Sequence, residues 1–191
     1  MQSPEERAKL LVYYGKKFQK VRVDRAHGIA PHKPILLLSV IESIQRGAIA
    51  KNRIFLSEEL NTCFLKYWSY LGSASHNPDA SRPFFFMKSG KFWHLMPKIE
   101  YKHILADKIK LKTFTEVRRA IEYAYLDEDL FDFLKQKNTS DSLRAVLVSR
   151  WFPGRIAEIE EISRTDRFRN PPVYTQDAYE KFYQLGLLSD G

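Results

Sequence analysis

The stretch richest in groups that could do chemistry is Ala30-Pro31-His32-Lys33-Pro34. Its prolines stiffen the backbone on both sides of a histidine and a lysine, and Pro34 suits the opening of the ILLLSVIESI helix that follows. A helix start holds anions through its free N–H groups and its dipole, so His32 and Lys33 stand where a phosphate would dock. A plainer arrangement fits equally well, with His32 capping the helix and Lys33 solvated, and the segment alone leaves both open. The second such stretch is RPFFFMKSGKFWHL, residues 82–95. Two β-prone runs around Ser89-Gly90 predict a hairpin. Its Phe84, Phe85, Phe86, Phe92 and Trp93 exceed what one face of two strands can bury. With Arg82, Lys88 and Lys91 at the rim, they suit either an aromatic platform for nucleic acid or a hairpin buried between helices.

Catalytic chemistry finds less support. Zinc needs Cys and His at tight spacings, and the chain has one Cys and no such pair among its five His. His94 and His103 suggest an HNH nuclease centre, but the order of His, Asn and metal-binding His that it needs is missing. With 8 glycines and no Gly-rich phosphate loop, no nucleotide cofactor is expected either. No catalytic residue, metal ligand or cofactor is therefore assigned. The lone Cys63 recurs with Leu60, Phe64, Tyr67 and Trp68 on one helical face and reads as a packing residue.

Charge is segregated along the chain. Residues 1–113 carry 20 Lys/Arg against 9 Asp/Glu, a net +11, together with all five histidines; residues 114–191 carry 11 against 14, a net −3. Such a split predicts a polyanion-facing surface built by the N-terminal part. No apolar run approaches the roughly 18 residues of a membrane span. The opening MQSPEERAKLL is charged where an export signal would be apolar, so a cytoplasmic protein with no membrane partner is expected.

Ser3, Pro4, Glu5 and Glu6 start a first helix whose Leu10, Leu11, Tyr14, Phe18 and Val21 repeat at helical spacing. The apolar helix from Pro34 to Gly47 is the central one, and Asn52–Leu56 is a short strand. Ser57 caps a third helix running to Leu71. Further helices are expected over 115–125, 128–137 and 141–151, the last broken by Phe152-Pro153-Gly154. The reading is a predominantly α-helical α+β fold, a multi-helix domain with one small β-hairpin over residues 1–163. Residues 164–191 form a connector (RTDRFRNPP, 164–172) and a short helix from Thr175 to Gly186.

These segments together resemble a family, the sulfur-binding domain of phosphorothioate-dependent type IV restriction endonucleases. The likeness lies in GIAPHKPILLL (28–38), NRIFL (52–56), RPFFFMKSGKFWHL (82–95), LDEDLF (126–131) and SRWFP (149–153), in the family's order over roughly residues 10–155. It implies a DNA-binding module for double-stranded DNA in which sulfur replaces a non-bridging phosphate oxygen. It also implies a targeting role, with cleavage left to a covalently linked HNH nuclease domain on the C-terminal side. The likeness assigns His32 and Lys33 to the modified backbone, and Arg82, Pro83, Phe84, Phe85 and Phe86 to the sulfur pocket. Arg53, His76, Lys91, Lys108, Lys110 and Lys112 are assigned to the rest of the DNA backbone. Two positions depart from the pattern: Arg82 stands where members often carry Tyr before the proline, and Phe86 falls at or near a small residue. Apolar walls suit sulfur, which is softer than oxygen and loses fewer hydrogen bonds on leaving water. A DNA-binding domain indifferent to modification, or a metal-dependent nuclease whose site is not recognisable, remain the alternatives.

Overall fold

The computed structural model describes residues 3–105 and 109–165. Helix α1 (Pro4–Gln19) begins with a reciprocal cap: Glu6 N–H donates to Ser3 Oγ at 3.2 Å, and Ser3 N–H donates to Glu6 Oε2 at 2.7 Å. Helix α2 (His32–Gln45) is apolar on almost every side, with all of Ile35–Ile41 buried. That composition predicts a central helix, and α2 packs on α3 (Glu58–Leu71), α4 (Ser81–Phe86), α6 (Glu128–Lys135) and α7 (Lys137–Trp151). Cys63 is buried against α2, its thiol 3.8 Å from the Ser39 carbonyl.

The fold is helix-rich with one small antiparallel sheet, as expected, but the sheet is not the local hairpin. Arg82–Phe86 belongs to α4, which runs on through a 3-10 turn (Met87–Gly90). Only the second half of the segment is extended: β1 (Trp93–Pro97) pairs with β2 (Ile121–Leu126), placing Trp93 opposite Leu126 and Leu95 opposite Ala124. The reason is local. Asp79 Oδ1 accepts from Ser81 N–H and from Ser81 Oγ, at 2.8 and 2.6 Å, turning the chain into a helix. Pro83 then falls in the first turn, where its missing N–H costs nothing.

The expected helix over 115–125 is likewise divided into α5 (Phe114–Ala120) and β2. The IEYAYL run has a strand's alternation, and its mate lies more than twenty residues upstream, outside any local window. Asn52–Leu56 contributes one bridge, Ile54 to Ala124, on the other edge of β2.

After the break at Phe152–Arg155, α8 (Ile156–Thr165) packs on α3. Ser163 is tied into the body, accepting from Arg144 Nη2 at 2.5 Å. Arg164 and Thr165 thus complete a helix, and the rest of the expected connector and the helix from Thr175 to Gly186 lie outside the described residues. No helix of the described residues is long and apolar enough to cross a membrane.

Candidate nucleic-acid interface

The start of α2 is held by a tight loop. Ala30 N–H donates to the Asp24 carbonyl at 2.9 Å and Ala26 N–H to Asp24 Oδ1 at 3.0 Å, while Gly28 turns the chain at φ 92°. A residue with a Cβ pays a steric penalty at that angle. Pro31 occupies the N-cap position with no side chain capping the helix, leaving first-turn N–H groups open to an external acceptor. A second loop, residues 72–80, is latched beside the first where Ser75 Oγ donates to the His27 carbonyl at 3.3 Å.

Between these loops His32 is half-buried. Its Nε2–H donates to the Asn77 carbonyl at 2.7 Å, and its ring lies 4.5 Å from that of Trp68 and 5.8 Å from that of His76. Burial lowers its pKa below the ordinary histidine value, so the ring is neutral at pH 7 with Nδ1 as its acceptor. Gly72 lets the end of α3 pass Trp68: a Cβ there would stand 2.5 Å from Trp68 Nε1.

Lys33, the next residue, extends to Ser89, whose hydroxyl lies 3.4 Å from Nζ and itself donates to the Phe86 carbonyl at 3.0 Å. Burial pushes the Lys33 amine down to about 8, and the nearby Arg22 charge pushes the same way. Lys88 is also lowered by burial and stands 4.0 Å over the Phe85 ring. Arg82 is exposed, close enough for its charge to oppose protonation of His32. Among the described residues no carboxylate pairs with Arg22, Lys33 or Arg82. A partly desolvated lysine with a neutral partner and the Arg22 charge nearby is stabilised by an incoming anion.

The other assigned residues divide. Pro83 is buried near the start of α4, and Phe86 is half-buried beside Ser89. The exposed aromatic platform is not formed by Phe84, Phe85, Phe92 and Trp93, each 1% exposed or less, with Trp93 Nε1–H donating to the Phe84 carbonyl at 3.0 Å. Five large rings in one segment bury more area inside than a rim of three cations could recover outside. Phe84 and Phe85 therefore back the site from within and offer no surface to a ligand.

His76 joins the cluster through the ring of His32, and Lys91 is exposed at the end of the 3-10 turn. Arg53 sits elsewhere, its guanidinium 5.3 Å over the Tyr123 ring on the small sheet. Lys110 and Lys112 are exposed ahead of α5, and Lys108 lies outside the described residues. Trp68, Asn77 and Ser89 were not among the assigned residues. Nothing local marks them, because each meets His32 or Lys33 only through the folding of separate segments.

His94, considered for a nuclease centre, instead bonds Asp127: Nε2 is 2.6 Å from Oδ1, and Tyr14 donates its hydroxyl to Oδ2 at 3.0 Å. Among the described residues no group of three or more His, Cys, Asp or Glu is arranged to hold a metal ion.

No protein-family model matches the chain, and no curated protein matches it. Solved structures do. One is described as the sulfur-binding domain and SRA domain of ScoMcrA complexed with phosphorothioated DNA; it matches with a TM-score of 0.61 and 23% identity, over 78% of this chain and 45% of that one. Another, the sulfur-binding domain of ScoMcrA complexed with phosphorothioated DNA, matches with a TM-score of 0.53 and 22% identity, over 78% of this chain and 97% of that one. The chain thus spans under half of the two-domain structure and nearly all of the isolated domain. The resemblance read from the motifs is found again in the fold.

Proposed function

We propose that the chain is a DNA-binding module that recognises phosphorothioate-modified double-stranded DNA. The observation that carries this reading is the half-buried His32-Lys33 pair at an uncapped helix start, with Arg22 near the lysine, Arg82 near the histidine and Ser89 as the lysine's neutral partner. The similarity in fold to domains solved on phosphorothioated DNA supports it. In this reading Lys33 holds the charge of the modified phosphate, with the neutral His32 ring in contact beside it. Phe86 supplies the apolar wall for sulfur, and Pro83, Phe84 and Phe85 stiffen it from behind. An apolar wall discriminates because oxygen would lose strong hydrogen bonds to water that sulfur makes only weakly.

The same reading makes the chain the non-enzymatic, targeting part of a cytoplasmic restriction system, with an HNH nuclease domain as its covalent partner. The test is a paired titration of matched duplexes, unmodified or carrying each phosphorothioate stereoisomer. Tighter binding to one stereoisomer, by tenfold or more, is the expected result, with plasmid left uncut in magnesium, manganese or zinc. Equal affinity for all duplexes would identify a reader indifferent to modification.

A further inference from the structure

An aromatic surface with cationic character is present, but on a different element from the one the sequence suggests. Strand β2 is the centre of the small sheet, with β1 on one edge and the Ile54 bridge on the other. Trp93, Leu95, Ala124, Leu126 and Ile54 face inward and are buried. The alternation of strand side chains therefore turns Phe55, Tyr123 and Met96 outward in one row, and Arg53, Tyr125 and His94 outward in a second.

The rings form a connected surface. Phe55 and Tyr123 are 5.8 Å apart, Tyr123 and Tyr125 6.3 Å, and Tyr125 and His94 5.1 Å, while Arg53 lies 5.3 Å over Tyr123. Phe55 is 50% exposed and Met96 36%, and they flank Tyr123 on one sheet face. His94 is fixed in place by Asp127, whose charge is also met by the Tyr14 hydroxyl.

We propose that this sheet face binds an unpaired segment of nucleic acid, with successive bases stacked on Phe55, Tyr123 and Tyr125 and Arg53 facing the phosphates. Three properties select that occupant over a protein surface. The exposed area is aromatic, which matches the π-face that every base presents. The Arg53 cation comes from the edge segment beside β2 and reaches over Tyr123, so it can meet a strand's backbone passing along the rings. Arg53, Phe55, His94 and Met96 of the face come from residues 1–113, whose net charge is +11, while Tyr123 and Tyr125 come from the net −3 remainder, so a polyanion is favoured on the Arg53 side. The proposal stands apart from the sulfur site, since it uses none of the residues around Lys33.

The experiment uses the full chain and a fluorescent unmodified twelve-nucleotide single strand of thymidines, with binding followed by anisotropy. Stacking of one base on one ring is worth about 1–3 kcal/mol, so Phe55→Ala and Tyr123→Ala should each weaken binding by roughly five- to 150-fold. Tyr123→Phe should keep it. Phe55 is exposed, so its variant stays folded even if Tyr123→Ala does not. Lys33→Ala should leave single-strand binding within twofold while weakening phosphorothioate duplex, which separates this proposal from the duplex reading. Ultraviolet crosslinking of a 4-thiothymidine strand should map to Phe55, Tyr123 or Tyr125. No binding of the single strand, full binding by Phe55→Ala, or crosslinks confined to the start of α2 would overturn the proposal.

Discussion

Raising the pH from 7 to 9 should weaken binding to phosphorothioate duplex about tenfold, through Lys33 alone. The amine is held at about 8 by burial and by the Arg22 charge. It must be protonated to hold a phosphate, and the phosphate in turn returns its pKa towards the ordinary lysine range. At pH 7 about nine in ten free chains carry the proton; at pH 9 about one in ten does, so binding must then take a proton up. Affinity is flat with respect to Lys33 below about pH 8 and falls by up to tenfold per unit above it. The sign for stability is opposite. Between 8 and the ordinary lysine value the folded chain holds fewer protons than the unfolded one, so stability due to this group rises with pH. A loss of affinity over that window is therefore not a loss of fold. Anisotropy at constant ionic strength, with thermal unfolding measured in the same buffers, reads both. Lys33→Arg keeps its charge throughout and should bind with no fall from pH 7 to 9. A flat wild-type profile, or the same fall in Lys33→Arg, would refute the reasoning.

Binding should also fall with salt: if Lys33 and two to four of Arg22, Arg82, Lys88 and Lys91 each neutralise a phosphate, log affinity against log salt has a slope of roughly −3 to −5. A titration from low to moderate salt measures it, and a slope near zero removes the basic face from the interface. Pro83→Gly loosens α4 and should lower stability by about 1 kcal/mol while reducing the preference for sulfur by roughly tenfold or more. A folded variant with its full preference intact takes Pro83 out of the site. Gly72→Ala drives a Cβ to 2.5 Å from Trp68 Nε1 and from its carbonyl oxygen. The overpacking should cost about 1–3 kcal/mol in thermal unfolding and weaken duplex binding through the displaced ring under His32.

The sequence by itself determined the features that are local in the chain. Ser3 and Glu6 sit in their capping box, α2 is the apolar helix at the centre, Ser57 caps α3, and the Phe152–Arg155 break ends α7, because caps, periodicity and turn residues act over a few positions. The placement of His32 and Lys33 at a helix start was legible for the same reason: prolines and a helix start are nearest-neighbour facts.

Tertiary structure alone decided the rest. RPFFF has the composition of a strand and, in Asp79 and Pro83, local signals for a helix start, and only the closed core shows Phe84 and Phe85 turned inward. Strand β1 finds its partner in β2, beyond α5, and that pairing sends Tyr123 and Tyr125 to the surface while Phe84, Phe85 and Trp93 are buried. Likewise the lowered pKa of Lys33 needs burial and the Arg22 charge, and the placement of His32 needs Trp68 and Asn77. Desolvation and stacking are properties of an assembled environment, and residues distant in the chain create them only once the core has closed.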